Sequence, residues 1–229
     1  MTTPPHPLDR PVWSALNSGW AGLSERAGTA LRLDRDYGPF AAAEDGSTEG
    51  LSGLLPLITP GEETWLVEIT PPTLPAPIVK LSEAACVQMI APSIESRPPG
   101  FDIVPLSEPD AAEMRALALL TKPGPFRRKT HRLGRFVGVR EQGRLIAMAG
   151  ERMRLDGFVE VSGVCTHPDH RGRGYAGGLM RQVAARILAE GDTPFLHAYA
   201  ANTGAIALYE TLGFRVRTEI VLTEVKRAD

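Results

Sequence analysis

The chain has 229 residues, 43% of them hydrophobic and 23% charged, with a formal net charge of -2. Those figures describe a folded globular protein rather than a disordered one. The charge gives no overall pull toward nucleic acid or anionic membrane, and two cysteines, Cys86 and Cys165, are too few for a disulfide framework.

The opening MTTPPHPLDRPVW lacks the charged-then-apolar order of a signal peptide. No apolar run approaches the ~20 residues of a membrane span. Free thiols then point to a reducing, cytoplasmic setting. A helix is expected from Asp9 to Leu23, with Leu16, Trp20 and Leu23 on one face. Short strands are expected at Ala30–Asp34, Phe40–Ala43, Thr64–Ile69 and Ala85–Ile90, with a helix near Thr48–Leu57. The polar stretch Ser93–Gly100 ends in turn formers, so a domain boundary is drawn there. Residues 1–97 form an N-terminal α/β region and residues 98–229 a second domain. The triplet Gly-Pro-Phe recurs at Gly38–Phe40 and Gly124–Phe126, a hint that the first half is a degenerate relative of the second.

The pattern sharpens from Phe101. Phe101–Val104 reads as a strand. Ser107 caps a helix that runs to about Leu120, with Pro109 and two acids in its first turn. Between Lys122 and Arg135 lie six Lys or Arg and no acid. This run is either a solvated loop or a seat for an anion. Strands follow at Arg135–Arg140, Arg144–Arg154 and Gly157–Thr166. Gly163, inside a β-rich segment, marks a bulge. After CTHPDHRGRGYA, the residues Ala176, Leu179, Met180, Val183, Ala184, Ile187 and Leu188 follow helical spacing, and Gly191 stops the helix. A strand at Pro194–Tyr199, a short helix from Asn202 to Leu212 and a final strand over Phe214–Val225 complete the chain.

The stretch from Cys165 to Ala176 carries the most chemistry. As a metal site it fails, because Cys-x-His and His-x-x-His across a proline turn match no usual ligand spacing and two arginines stand beside the cation. Cys165 as a nucleophile would need a base and a depressed pKa, whereas a cysteine ending an apolar strand is more often a packed hydrophobe. Phosphate binding fits best. Gly172 and Gly174 clear the backbone, the helix start offers unpaired N–H groups, and Arg171 and Arg173 add charge. The P-loop pattern is absent, and Gly172-x-Gly174-x-x-Gly177 lacks the acidic strand end of a dinucleotide fold.

Arg171-x-x-Gly174-x-Ala176 resembles the [QR]-x-x-G-x-[GA] motif of the GNAT superfamily of N-acetyltransferases. The stretch from Asn202 to Phe214 resembles its second signature, N-x-x-A-x-x-L-Y-E-x-x-G-F. The likeness covers residues 101–229, and the wording VSGVCTHPDHRGRG is similar to the glycine N-acyltransferase-like branch. It implies an α+β fold, a mixed and strongly bent β-sheet flanked by helices, whose strands around Glu160 and Pro194–Tyr199 splay apart to admit acetyl-CoA. It implies that backbone groups of Val164, Cys165 and Thr166 pair with the acyl-pantetheine arm. The N–H groups from Arg171 through Gly172, Arg173, Gly174, Tyr175 and Ala176 would hold the pyrophosphate. Asn202 would bind pantetheine, cap its helix, or do both. Tyr209 would protonate the leaving thiolate, or simply pack beside Leu208 and Leu212. Glu160 would be the general base, or an acid on an exposed sheet face.

The resulting expectation is an acetyl-CoA-dependent N-acetyltransferase. It would use direct attack in a ternary complex on a small-molecule or amino-acid-like amine, with no metal, nucleic acid or membrane partner, and a homodimer is left open. The competing reading is a CoA-binding sensor or scaffold without turnover.

Overall fold

A computed structural model describes residues 6–95 and 97–228. Met1–Pro5 of the opening stretch, and Ser96 at the drawn boundary, lie outside the described residues. The first expected helix is cut to α1 (Pro11–Leu16) and a 3-10 turn at Ala21–Leu23. The helix ends at Leu16 with Asn17 as its C-cap, and in the turn beyond it an added Cβ at Gly19 would stand 2.4 Å from the Arg154 carbonyl oxygen. The close approach leaves no room for a side chain at that position. Strands β1 (Ser24–Ala27), β2 (Ala30–Leu33) and β3 (Ala41–Ala43) form a small antiparallel sheet, followed by α2 (Thr48–Ser52), which is shorter than expected.

The main sheet has eight strands. They are β4 (Thr64–Glu68), β5 (Ile78–Ile90), β6 (Val104–Leu106), β7 (Phe136–Glu141), β8 (Arg144–Leu155), β9 (Phe158–Thr166), β10 (Thr193–Tyr199) and β11 (Arg215–Arg227). Their spatial order is β4-β11-β5-β10-β9-β8-β7-β6. Strands from both sides of residue 97 therefore share one sheet, with β5 between β11 and β10. The strand expected at Phe101–Val104 begins only at Val104, where pairing with Gly138 starts. β5 starts at Ile78, seven residues before the expected Ala85. Its first half pairs with β11 while its side chains stay mostly exposed, so the sequence carries no burial pattern to mark it.

All neighbours are antiparallel except β9 and β10. That parallel pair meets only from Thr193↔Phe158 to Phe195↔Glu160 and then separates. Gly163 takes a φ of 63° where two residues of β9 oppose one of β8, which is the expected bulge. An added Cβ there would stand 2.8 Å from the Phe136 ring.

Two helices sandwich the sheet. On one face α4 (Tyr175–Ala189) buries Leu179, Met180, Val183, Ala184 and Ile187 against Val137, Ala149, Val161 and Leu196. On the other face α3 (Ala111–Thr121) packs Met114, Leu117 and Ala118 on Phe136, Met148 and Cys165. Phe195 and Leu196 are successive on β10, so they point to opposite faces. Leu196 joins the layer under α4, and Phe195 joins a core with Leu8, Val12, Leu16, Trp20 and Phe40. The N-terminal segments thus cover part of the sheet that holds the splay.

Candidate active site

The separation of β9 from β10 opens a cleft of about 610 Å³. Val164, Cys165 and Thr166 line it from β9. His170 through Gly177 line it from the turn and the start of α4, and Asn202, Ala205, Leu208 and Tyr209 from α5 (Thr203–Thr211) and its cap. All ten residues expected to hold the acyl donor meet in this one cleft, and so does Tyr209.

Local chemistry accounts for the shape. Gly172 and Gly174 have φ of 78° and 77°, in the left-handed region that L side chains avoid. Gly174 is the N-cap of α4, so the free N–H groups of the first turn open into the cleft. This arrangement, with Arg171 on the rim, suits a diphosphate. Arg173 is engaged elsewhere, donating to Glu141 at 3.1 Å. Arg181, about two turns beyond the Gly174 cap of α4, also lines the cleft. Sequence reasoning missed it because it lies beyond the motif, although its i+7 spacing from Gly174 placed it on the same helix face. Asn202 caps α5 through its side-chain oxygen, which accepts from Ala205 N at 3.3 Å.

Cys165 is buried, and burial pushes its thiol up to about 11, so it stays protonated near neutrality. Cys86 is likewise free, buried and pushed up to about 11 by burial. His167 and His170 sit in the turn as neighbours, 5.5 Å apart between ring centres. Among the described residues no group of three or more His, Cys, Asp or Glu is placed to hold a metal.

Behind Val164 and Tyr209 the cleft reaches a small cavity of about 60 Å³, lined by Pro123, Arg152, Glu160, Ser162 and His197 among others. Tyr209 belongs to both spaces, and burial raises its phenol above the ordinary 10.0. Glu160 is only 1% exposed. Its carboxylate accepts from Arg152 Nε at 2.7 Å, Arg152 Nη2 at 2.8 Å, His197 at 2.9 Å and Met153 N at 3.4 Å. Burial alone would raise its pKa. The Arg152 charge and the bonds from His197 and Arg152 outweigh that and hold it at about 2.

The pairing continues outward. His197 Nε2 lies 3.1 Å from Gln88 Nε2, which also donates to the Leu8 carbonyl at 2.9 Å. Gln88 Oε1 accepts from Arg217 at 2.9 Å, and Arg217 pairs with Asp9. With the Gln88 amide so fixed, His197 accepts at Nε2 and donates from Nδ1 to Glu160. Arg152 is held from the other side, its guanidinium carbon 4.9 Å from the Phe40 ring centre. The Arg152 pairing was legible only in part: folding the β8–β9 hairpin about Asp156 and Gly157 sets Met153 across from Glu160, and the register shift between Glu151 and Arg154 brings Arg152 beside it. His197 and Gln88 had no such signal, because they reach the site from strands far away in sequence.

Comparisons with known proteins bear on the family and the fold. The family model described as FR47-like protein matches residues 136–222. A crystal structure from Novosphingobium aromaticivorans DSM 12444, of a protein assigned to the GNAT family as an acetyltransferase, is 47% identical. The match covers 98% of this chain and 100% of that one, with a TM-score of 0.89. A GCN5-related N-acetyltransferase from Kribbella flavida is 18% identical over 95% of this chain and 94% of that one, with a TM-score of 0.63. An acetyltransferase from the GNAT family of Colwellia psychrerythraea is 15% identical over 64% of this chain and 58% of that one, with a TM-score of 0.52. The last two show likeness of fold alone. No curated protein matches the chain in sequence.

Proposed function

The chain belongs to the GNAT family of acyl-CoA-dependent N-acetyltransferases, and from that premise we propose that it transfers the acetyl group of acetyl-CoA to a primary amine by direct attack in a ternary complex. The observation that carries this reading is the splay beyond Phe195↔Glu160, whose cleft gathers the ten donor-binding positions and Tyr209.

In this reading the free strand edge at Val164–Thr166 pairs with the pantetheine amides. The N–H groups from Arg171 to Ala176 take the diphosphate, with Arg171 and Arg181 adding charge, and Asn202 contacts the arm while it caps α5. The acyl carbon then lies where the two spaces join at Val164 and Tyr209. Tyr209, kept protonated by burial, gives its proton to the departing thiolate. A thiol pKa of about 8.5 makes that donor helpful rather than obligatory.

Glu160 plays its part through its neighbours. A carboxylate held at about 2 with its lone pairs occupied is a weak acceptor for the proton of an alkylammonium, whose ordinary pKa is about 10.4. The amine attacks in its neutral form and loses its proton to water ordered at the polar wall of Arg152, Glu160, Ser162 and His197. Glu160 fixes that wall and supplies its negative charge.

Two free thiols support a reducing compartment, the cytoplasm, and no helix among the described residues is long and apolar enough to cross a membrane. The test is to measure acetyl-CoA binding and then follow thiol release with a panel of amines. Release with at least one amine is expected. Tight binding with no release on any of them would instead identify a CoA sensor.

A further inference from the structure

A second cavity, of about 750 Å³, lies between α3, the loop from Lys122 to Arg128, and the N-terminal segments around Asp36 and Trp65. The basic run borders it, and most of that run is spent. Arg128 pairs with Asp36, and Lys129 reaches the same carboxylate at 3.0 Å. Arg132 pairs with Glu108 at 2.6 Å, and Arg135 with Glu190 at 2.6 Å. Of the six cations between Lys122 and Arg135, this leaves Lys122 and Arg127. Neither has a salt-bridge partner among the described residues, and both line the cavity. Arg115 of α3 lines it too, also without such a partner there.

The acids of the cavity do not balance them. Asp36 is taken as described. Glu62 is held by Arg32 at 2.6 Å and Arg35 at 3.3 Å, and Glu63, which accepts from the neutral Trp65 indole, sets one unpaired negative charge against three positive ones. Three uncommitted cations therefore face one space. Its apolar wall includes Leu119 and Tyr199, which are 56% and 45% exposed. The loop Pro123–Phe126 borders both this space and the small cavity of Glu160. Pro123 lines the small cavity, while Gly124, Pro125 and Phe126 line the large one.

We propose that this cavity seats the acceptor, and that the acceptor is an amine that also bears a carboxylate. The carboxylate binds Arg115, Lys122 and Arg127, its planar oxygens matching the guanidinium forks. The apolar body lies on Leu119 and Tyr199, and the amine points past Pro123 toward Glu160. That the occupant is an acceptor rests on the transferase reading above; that it carries a carboxylate rests on the uncommitted cations alone.

The test uses the full chain saturated with CoA and calorimetric titration of N-acetyl derivatives of glycine, leucine, phenylalanine and glutamate. Each is compared with the same compound carrying an amide in place of its α-carboxylate. At least one carboxylate is expected to bind roughly tenfold or more tightly than its amide, the usual scale for hydrogen bonds to a charged group. In Arg127→Gln that ratio falls toward one, and in Arg115→Gln, on the exposed side of α3, it falls in the same direction. Retained CoA affinity shows that each variant is folded. Equal binding of acid and amide for all four pairs, no binding of any, or a ratio untouched by both substitutions overturns the proposal. Thiol release with the free amino acids separates the two readings. Carboxylate-selective binding without any release sinks the transfer reading and leaves the anion seat standing. Release that is indifferent to the carboxylate does the reverse.

Discussion

Glu160 and Arg152 form a two-pronged ion pair inside the sheet, with Nε and Nη2 of the guanidinium at 2.7 and 2.8 Å from the two carboxylate oxygens. The pair is nearly out of water, with side chains 1% and 12% exposed. Two opposed effects act on Glu160 and can be separated by removing the partner. In Arg152→Met the burial that raises its pKa is left unopposed by the guanidinium. The carboxyl should then titrate well above about 2, with the His197 bond still opposing part of the rise. Carbon-detected NMR of the Glu160 carboxyl across pH 2–8 would read this, and a titration unmoved by the substitution would refute the assignment.

The same pair sets an acid limit on stability. The folded pKa lies below the unfolded one, so the contribution is fully present above about pH 4.5 and is lost as pH falls toward about 2. Glu160→Gln should flatten that part of the stability curve. It should also destabilise the protein at neutral pH by about 3–5 kcal/mol, the usual cost of stranding one partner of a buried pair. Urea unfolding at a series of pH values measures both.

Tyr209→Phe should lower kcat by roughly 10- to 100-fold, at or below the low end of proton-transfer contributions because a thiolate is a good leaving group. KM for acetyl-CoA should hardly change. Burial raises the phenol above 10.0, so the wild-type profile should show no alkaline loss from this group below that pH. A variant with unchanged kcat would reduce Tyr209 to a packing residue.

Gly174→Val tests the diphosphate loop by conformation rather than by bulk. No atom lies within 4 Å of the position a Cβ would take, and φ is 77°. The left-handed backbone should cost about 1–2 kcal/mol, and relaxing it would turn the α4 N–H groups away from the ligand. Affinity for CoA should fall at least about tenfold, measurable by calorimetry. A variant that is less stable yet binds CoA normally would show that the loop does not hold the diphosphate.

Cys165→Ala should keep activity within a few-fold, because the thiol is buried and pushed up to about 11, which suits packing and not attack. A thiol reagent should label Cys165 only on unfolding. Abolished turnover in a folded variant would reopen a covalent route.

The donor cleft was legible because its parts are contiguous. Arg171–Ala176 act mainly through main-chain N–H groups, and two glycines, a turn and a strong amphipathic helix announce such a loop without knowledge of anything distant. The elements around it were legible for the same reason, with α4 and the strands β7 to β10 falling close to the expected bounds. The first helix was overestimated: it ends at Leu16, and the turn beyond it packs at Gly19 against Arg154, on a strand well over a hundred residues later. The sharing of one sheet by β5 and β10 was equally out of reach.

What the sequence determined by itself, then, is the local hardware: a phosphate loop at a helix start, a strand bearing Glu160, and a tyrosine in a second signature. These depend on neighbours a few residues apart. The tertiary structure decided the chemical state of those groups. Glu160 is strongly acidic because Arg152 and His197 converge on it from β8 and β10. Cations drawn from one basic loop are neutral pairs or open seats according to which distant acids, Asp36 and Glu108 among them, fold against them. Burial and Coulombic pairing are set by distance in space, and no local pattern of residues encodes that distance.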